Sequence, residues 1–536
     1  MGRSDLFQRL QRCIQIALHC EETGKSAQEV LDELAHAEAT RRSRRRILTA
    51  MGAGVLISAA GPGSIRTALA APRVSGRVAI VGAGLAGLSC AYALAGKGVR
   101  ADLFEASKRA GGRCFSLHNF FEGQVAERGG EFIDTGHVTM RGYANAFGLT
   151  METVTKEPGE VAYYFNGQHY SEAQVVDEFR AFVPTLQGDI RKLSVPTADS
   201  FTDDDRVLDY TDLKEYLDSR GASALIREVL DVAYTIEYGR EIGQQSCINL
   251  LLFIHADRRS KFRPFGLFSD ERFHVVEGND RIAQRLADNL PGQIAFEHAL
   301  VRARKLSDGR IGLTFSNRGK TVETAHDAVV MTLPFSVLRE VELDASLGLP
   351  NWKRFAINNL SYGTNSKMML GFSGRPWYHL HGSNGSSYSD LANHQNTWET
   401  NAIRATPNSS ILTDYSGGKR GEALNPNQVQ IEAGRFLKDL NKVYPNASQY
   451  ASRNRQGEYL AHLENWSLNP LSNGSYTCNG PGYFTTIAGN EGKPVGNLFF
   501  AGEHTSSFYE WQGFMEGAAV SGVRAAGEAF ALLHGK

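Results

Sequence analysis

The chain contains no run of about 18 or more apolar residues, the length that an α-helix needs to cross a bilayer. The sequence therefore predicts no stable membrane anchor. Its six cysteines show neither a CxxC pair nor the spacing of a metal site, so neither a disulfide scaffold nor a metal centre is expected. A P-loop and a GxSxG elbow are also missing, which argues against the phosphate-binding and hydrolase sites that those motifs build.

Charge and size narrow the class of protein further. The formal net charge of −1 gives no overall attraction to nucleic acid, so we expect a small-molecule substrate and no nucleic-acid partner. The 536 residues are 42% hydrophobic and 10% aromatic, as in globular enzymes. This length exceeds one ordinary hydrophobic core, and we therefore expect two or three domains.

An arginine-rich segment near the N-terminus is typical of an export signal. Residues 41–46 read Arg-Arg-Ser-Arg-Arg-Arg, a weakly apolar stretch follows at 47–60, and small residues follow at 68–71. This order indicates a twin-arginine signal, whose apolar stretch is too short for an anchor. That route carries folded proteins, so it suits an enzyme that takes up its cofactor before export. We expect residues 1–70 to be a leader and the mature protein to be periplasmic or secreted.

The residues before the arginines have a pattern of their own. Apolar residues repeat there at helical spacing in two stretches, namely Leu6, Leu10, Ile14 and Leu18, and then Val30, Leu31 and Leu34. The interpretation that we favour is a short helical pair that is kept until the leader is processed. The alternative is a segment that masks the active site or binds a partner.

Residues 76–105 have the pattern of a βαβ unit. A buried strand is predicted at 78–81, and a helix of small residues at 85–94 ends at Gly98, which is a typical helix stop. A second strand follows at 99–105.

The glycines of this unit have the spacing of a dinucleotide-binding loop. Gly82 permits the tight turn, Gly84 lets a pyrophosphate approach the backbone, and Gly87 lets the helix pack against the strand. The helix N-terminus then faces the negative phosphates. Glu105 ends the second strand, about 20 residues further along, where an acidic side chain binds the ribose hydroxyls.

Further elements follow from the alternation of apolar and polar residues. A hairpin is predicted at 296–315 around an Asp-Gly turn. The other predictions are strands at 328–333, 367–372 and 410–415 and helices at 210–217 and 224–234. Residues 382–408 are polar and rich in serine and asparagine, and we expect them to form a loop.

Four more motifs carry a resemblance to a known family. Residues 109–113 read Arg-Ala-Gly-Gly-Arg, 129–132 read Gly-Gly-Glu-Phe, 499–503 read Phe-Phe-Ala-Gly-Glu, and 511–517 read Trp-Gln-Gly-Phe-Met-Glu-Gly. With these motifs the chain resembles the flavin-containing amine oxidases, which include monoamine, polyamine and L-amino acid oxidases. The resemblance runs from about Arg77 to Ala531.

The resemblance implies an α/β fold of two interleaved domains. A Rossmann-like FAD-binding domain of the GR2 flavoprotein type would take residues 74–150, 270–335 and 456–536. A substrate domain with a mixed sheet and helices would take residues 151–269 and 336–455.

The resemblance also implies a set of residues around FAD. Arg113 would neutralise the pyrophosphate, Val301 would lie in the strand whose backbone contacts the adenine edge, and Glu503 would lie near the ribitol. Met515 would open the last helix with its backbone N–H toward the flavin, where the helix dipole stabilises negative charge. The full set is Gly82, Gly84, Gly87, Glu105, Gly111, Gly112, Arg113, Gly129, Gly130, Glu131, Phe132, Val301, Trp466, Gly502, Glu503 and Met515.

Ser475 stands where monoamine oxidases have the cysteine that bonds the flavin. We therefore expect non-covalent FAD. Cys478 is close in sequence, but its offset does not match.

Three residues are implied in catalysis by the same resemblance. Lys367 would hold a water beside flavin N5; the alternative is a surface lysine, although an ammonium in this otherwise apolar strand would be costly. Tyr476 and Phe514 would form the two faces of an aromatic cage for the substrate amine, and the alternative for both is plain core packing. Trp511 is assigned to the substrate as well.

The sequence gives two opposing indications of the substrate class. Glu131 and its neighbours occupy the stretch where L-amino acid oxidases place a carboxylate-binding arginine, so Arg141 or Arg404 would have to supply that contact. The whole pattern nonetheless favours an L-α-amino acid, oxidised by hydride transfer to FAD with release of a 2-oxo acid, ammonia and, from O2, hydrogen peroxide.

Three alternatives stay open. The nearest is a monoamine or polyamine oxidase of the same family. The second is a flavin desaturase or a protoporphyrinogen-type oxidase, and the third is an exported flavoprotein without enzymatic activity. The oligomeric state is open too, with a homodimer as one option.

Overall fold

The structure is a computed structural model that describes residues 16–17, 19–20, 23–31, 76–154, 159–251, 271–406, 408–506 and 508–534. The predicted arginine run and the apolar stretch that follows it lie outside these residues.

The described residues contain strands in six sheets. In chain order they are β1 Val78–Val81, β2 Ala101–Phe104, β3 Ser116–Phe121, β4 Gln124–Glu127, β5 Met151–Thr153, β6 Glu160–Phe165, β7 Gln168–Tyr170, β8 Phe273–Val275, β9 Ile294–Ala295, β10 Ala299–Lys305, β11 Ile311–Asn317, β12 Lys320–His326, β13 Ala328–Met331, β14 Glu342–Leu343, β15 Ser361–Tyr362, β16 Ser366–Phe372, β17 Ser383–Leu391, β18 His394–Glu399, β19 Ser410–Ser416, β20 Ala461–Asn465, β21 Thr477–Cys478 and β22 Leu498–Phe500.

The helices alternate with these strands along most of the chain. They are α1 Leu85–Gly96, α2 Val138–Ala146, α3 Glu172–Ile190, α4 Asp203–Tyr210, α5 Leu213–Ser219, α6 Ala224–Tyr238, α7 Asp280–Asp288, α8 Phe335–Leu338, α9 Asn351–Asn359, α10 Pro376–His381, α11 Gly418–Ala423, α12 Val429–Val443, α13 Tyr483–Thr486 and α14 Met515–His534. Within the described ranges, none of the helices is long and apolar enough to cross a bilayer.

A five-stranded parallel sheet forms the first core, in the order β22–β13–β1–β2–β9. All four residues of β1 and of β13 are buried, as expected for central strands that are covered by helices on both faces. The predicted βαβ unit is present, with its helix two residues longer than predicted. The Rossmann-like part of the fold prediction is therefore confirmed.

The last helix closes this core against the first. α14 packs along α1, and a Cβ atom at Gly522 would lie 2.1 Å from the backbone oxygen of Ala86. Only a glycine allows this approach, because any larger residue would separate the two helices. The two ends of the described α/β core are thus in direct contact.

The second large sheet has seven strands, in the order β20–β16–β19–β18–β17–β6–β7. β16 and β19 are buried along their whole length. β20 belongs to this sheet, although the sequence-based boundaries group residues 456–536 with the FAD-binding domain. The other domain boundaries stay predictions.

The prediction of a loop at residues 382–408 was wrong, because β17 and β18 occupy most of it. Most polar side chains of these strands are buried, and several of them bond to one another instead of to water. Ser387 Oγ lies 2.9 Å from His394 Nε2, and Ser389 Oγ lies 2.8 Å from His394 Nδ1. Burial lowers the pKa of His394 to about 3, so its neutral ring serves as a hydrogen-bonding partner inside the sheet.

Part of the segment before the arginine run packs against α3. Arg180 of α3 donates hydrogen bonds to the backbone oxygens of Cys20 at 2.8 Å and Lys25 at 3.1 Å. The buried apolar residues of this segment are Ile16, Ala17, Cys20, Ala27 and Val30. The segment is therefore continuous with the main hydrophobic core.

We predict that Gly87→Ala prevents FAD retention, whereas Gly96→Ala on the same helix does not. A Cβ at Gly87 would lie 1.9 Å from the backbone oxygen of Gly82, so the glycine loop would have to move. A Cβ at Gly96 meets no atom within 4 Å, and the alanine is expected to stabilise α1 by about 0.4–1 kcal/mol. Flavin absorbance per protein and thermal unfolding measure both effects. Equal FAD content in the two variants would contradict this account of the loop.

Candidate active site

A long cavity runs past the carboxyl ends of β1, β2 and β13, which is where open parallel sheets bind their ligands. The backbone of the glycine loop forms one wall, and the segment before α14 forms another. The predicted site residues that line this cavity are Gly82, Gly84, Glu105, Gly111, Gly112, Arg113, Trp466, Tyr476, Gly502, Glu503, Phe514 and Met515.

Two glycine-rich loops contact each other at the cavity, and only their backbone atoms take part in the contact. Gly82 has a φ of +106°, and the N–H of Gly111 donates to the oxygen of Ala83 at 2.8 Å. Gly84 and Gly112 approach so closely that a Cβ at Gly112 would lie 3.2 Å from the Gly84 Cα. Unobstructed backbone at a helix N-terminus fits a pyrophosphate.

The carboxylate of Glu105 is fixed at the end of β2. Its Oε2 accepts from the N–H of Ala83 at 2.8 Å, and its Oε1 accepts from the N–H of Ser107 at 2.8 Å. An ionised carboxylate can accept about four hydrogen bonds, so both oxygens keep acceptor capacity for ribose hydroxyls. The structure thus fits the predicted adenosine site.

Arg113 supplies a cation to the cavity wall. Its Nη1 donates to the oxygen of Ser475 at 2.7 Å and pairs with Glu503 Oε1 at 3.1 Å. Glu503 is itself fixed, because its Oε2 accepts from Thr477 Oγ1 at 2.9 Å and from the N–H of Gly513 at 3.0 Å. This donor set fits the diphosphate and ribitol of FAD.

Lys367 is buried, which excludes the alternative of a surface lysine. It does not line the long cavity; its Nζ forms a salt bridge with Glu131 and donates to the oxygen of Gly129 at 3.3 Å. Trp398 Nε1 donates to the other oxygen of Glu131 at 2.9 Å. The carboxylate of Glu131, which we grouped with the FAD-binding residues, thus contacts Lys367 and Trp398 rather than the cavity.

The glycine pair lies between this salt bridge and the cavity. A Cβ at Gly129 would lie 1.7 Å from the oxygen of Arg113 and 3.2 Å from the Trp466 ring, and the N–H of Gly130 donates to the oxygen of Arg113 at 3.2 Å. Phe132 packs 6.2 Å from the ring of Trp398.

Tyr476 and Phe514 both line the cavity, and a Cβ at Gly513, the residue before Phe514, would lie 4.0 Å from the Tyr476 ring. The hydroxyl of Tyr476 donates to the backbone oxygen of Glu237 at 2.5 Å and lies 3.0 Å from that of Tyr415. Burial raises the pKa of Tyr476 well above its usual value, so the hydroxyl stays protonated and its hydrogen bond holds the ring in place.

The imidazole of His137 packs against the rings of Phe514 and Trp511. The imidazole centre lies 5.2 Å from the Phe514 ring and 4.7 Å from the Trp511 ring. The N–H of Asp134 donates to His137 Nδ1 at 3.0 Å. Burial lowers the pKa of His137 to about 3, so a neutral ring packs there. Trp511 does not line the cavity, which leaves its predicted contact with substrate without support.

Val301 lies outside the cavity. A β-bulge between Leu300 and Arg302 interrupts the ladder, and the Val301 side chain is 44% exposed. The cavity wall is formed by Ala299 and Leu300 instead.

The two arginines predicted to bind a substrate carboxylate form other interactions instead. Arg141 Nη1 donates to the oxygen of Thr135 at 2.6 Å, and its guanidinium lies over Phe273. Arg404 pairs with Glu152 at 2.9 Å. Neither lines the cavity.

Trp398 and Tyr415 are site residues that the sequence did not reveal. Trp398 lies in the segment that we took for a loop. Tyr415 lies directly opposite Lys367 in the pairing of β16 with β19. Its position could have been found by pairing the two predicted strands and asking which side chains share the face of Lys367.

The parallel sheet, the glycine-lined cavity and the fixed Glu105 and Arg113 define an FAD-dependent oxidoreductase. More narrowly, the chain belongs to the family of flavin containing amine oxidoreductases, whose family model matches residues 85–529. FAD is bound non-covalently, and the structure agrees, since Ser475 at the position of the bonding cysteine donates its hydroxyl to Asn365 Oδ1 at 2.6 Å.

Relatives agree with this assignment, and solved structures share the fold. The chain is 26% identical over 483 residues to an L-amino-acid oxidase of Naja atra, covering 84% of this chain and 87% of the relative. It is 24% identical over 468 residues to one of Pseudechis australis, covering 84% and 86%. Among solved structures, cyclohexylamine oxidase from Brevibacterium oxydans IH-35A has a TM-score of 0.71 at 19% identity and covers 86% of this chain and 99% of that one. Putrescine oxidase bound to putrescine has a TM-score of 0.70 at 17% identity, covering 85% and 99%.

We predict that His137 makes the protein less stable in acid. Between pH 3 and 6.5 the unfolded chain binds a proton on this imidazole and the folded chain does not, so the free energy of unfolding rises with pH. One such group contributes at most about 1.4 kcal/mol per pH unit. Denaturant unfolding of the wild type and of His137→Asn at pH 4 to 7 measures the difference, with a shallower slope expected in the variant. An equal dependence of the unfolding free energy on pH in the two proteins would contradict this prediction.

Proposed function

We propose that the chain oxidises an L-α-amino acid to a 2-oxo acid, with release of ammonia and formation of hydrogen peroxide from O2. The observation that supports oxidation at a carbon bearing nitrogen is the pair Tyr476 and Phe514, which both line the FAD cavity. The buried Lys367 adds to it, because its Nζ donates to the oxygen of Gly129, which packs against the cavity wall. The amino-acid substrate is supported by the L-amino-acid oxidases that align with 84% of the chain.

The bound FAD supplies the acceptor for a hydride from the substrate carbon. Tyr476 and Phe514 orient the substrate, because hydrogen bonding and the packing of His137 hold their rings. Burial of these side chains excludes water from the reacting carbon. Since the Tyr476 hydroxyl stays protonated, it does not act as a base, and the substrate amine has to arrive neutral.

A monoamine or polyamine oxidase is the second candidate, and one observation favours it. Glu131 is a buried carboxylate in the stretch where L-amino acid oxidases have an arginine, and Arg141 and Arg404 are bonded elsewhere. A substrate without a carboxylate would not need that arginine.

We expect the purified yellow protein to be bleached anaerobically by L-amino acids, and to form hydrogen peroxide with them in air. Simple amines and D-amino acids are the comparison set. The rate at low substrate should rise by up to about tenfold per pH unit below the pKa of the substrate amine, because the neutral form increases by that factor. Bleaching by amines alone would establish the second candidate, and a flat rate between pH 6 and 9 would contradict the need for a neutral amine.

A matched pair of variants tests the role of the ring in this experiment. Tyr476→Phe keeps the aromatic face and removes only the hydroxyl. Because the buried ring is still held by packing, we expect kcat/KM within about threefold of the wild type. Tyr476→Ala removes the face and should lower kcat/KM by more than about tenfold. Equal losses in both variants would show that the hydroxyl, and not the ring, matters.

We also propose that the protein is exported in folded form by the twin-arginine route, on the basis of residues 41–46 and the apolar stretch after them. Replacing the five arginines of this run with lysine keeps its charge. If the route depends on arginine, the variant should stay in the cytoplasm with its FAD bound, as cell fractionation would show. Export of the lysine variant at the wild-type level would contradict the proposal.

A further inference from the structure

The salt bridge between Lys367 and Glu131 is buried and held from several sides. The two residues are 2% and 3% exposed. Glu131 also accepts from Trp398 Nε1 at 2.9 Å, and Lys367 donates to the oxygen of Gly129 at 3.3 Å. β16, which carries Lys367, and β18, which carries Trp398, are separated by β19. Glu131 therefore connects two strands of the second sheet to the segment that borders the cavity.

The salt bridge lies one backbone segment away from the cavity. Gly129, which accepts from Lys367, packs against the backbone oxygen of Arg113 and the ring of Trp466. Both of those residues line the cavity. The charges of the pair therefore act on whatever group lies along this wall, with little water between them to screen the field.

We propose that Glu131 is a positioning residue that holds Lys367 in place and cancels its charge beside the flavin. The proposal rests on the proposed function, because the placement of Lys367 next to the reacting end of FAD comes from the family resemblance. A buried ion pair is expensive to desolvate and adds little stability compared with apolar packing. The effect of the Lys367–Glu131 pair is instead to make the net charge at this wall zero.

The consequence concerns the reduced cofactor. Reduced FAD carries a negative charge, which a lone ammonium would stabilise and a neutral pair would not. On reoxidation the reduced flavin gives two electrons and its N5 proton, and one proton comes from solvent, so that O2 becomes hydrogen peroxide. The first electron makes superoxide, an anion that a lone ammonium would also stabilise. Removing the Glu131 carboxylate should therefore favour both reduction and reaction with O2.

Sulfite binding to the resting holoenzyme tests this without turnover. Sulfite adds to flavin N5 and gives an anionic adduct, so its affinity measures the positive charge nearby. We expect Glu131→Gln to lower the sulfite Kd about tenfold, which corresponds to about 30 mV for a two-electron couple. Glu131→Asp, which keeps the charge, should stay within about twofold of the wild type. Stopped-flow reoxidation should be faster in the Gln variant only.

A matched control lies on the next residue of β18. Glu399 forms a buried pair with Arg375 through contacts of 2.7 and 2.6 Å, away from the cavity wall. Glu399→Gln should lower stability and leave sulfite affinity unchanged. Lys367→Met, which leaves the carboxylate alone, should weaken sulfite binding, and the double variant with Glu131→Gln should return toward the wild type.

An unchanged sulfite Kd in FAD-loaded Glu131→Gln would overturn the proposal, and so would a shift of equal size in Glu131→Asp. If Glu131→Gln does not fold, sulfite binding to Lys367→Met is the deciding measurement. Weaker binding than in the wild type would support charge cancellation, and unchanged binding would refute it. A wild type that holds no flavin, or whose flavin no amine reduces, would instead refute the proposed function. The two failures are therefore distinguishable.

Discussion

The structure depends on backbone atoms that approach one another at the glycine loop. Gly87 lets α1 begin against the oxygen of Gly82, and Gly522 lets α14 pack on the oxygen of Ala86. These contacts place the N-terminus of α1 and the start of α14 on the same cavity. Every later feature, from the fixed carboxylate of Glu105 to the rings beside Gly513, is placed relative to that arrangement.

The sequence predicted well wherever function requires a local backbone geometry. The βαβ unit and the last helix were correct because glycine spacing and apolar runs encode them within a few residues of each other. The strands β17 and β18 were missed for the opposite reason. Their serines, threonines and His394 look solvent-exposed in sequence, but they satisfy one another across the sheet, and such pairing depends on partners that a local pattern does not show.

The same distinction between local motifs and long-range contacts applies to the residues of the candidate site. Residues in fixed motifs, such as Arg113 and Phe514, line the cavity as expected. Val301 is not among the lining residues; the strand contributes Ala299 and Leu300 instead, next to a bulge that leaves no clear trace in a single sequence. The partnership of Glu131 with Lys367 was equally hidden, since the two residues are separated by 236 positions and meet only when both sheets are assembled.

The arrangement of the cavity has a consequence for how the protein is made. Its walls come from Gly82, which follows β1, and from Met515, which opens α14 much further along the chain. A ribosome makes the first wall long before it reaches the second, so the pocket stays unfinished until α14 has emerged and packed on α1. A polypeptide truncated before α14 would therefore lack one wall of the FAD pocket.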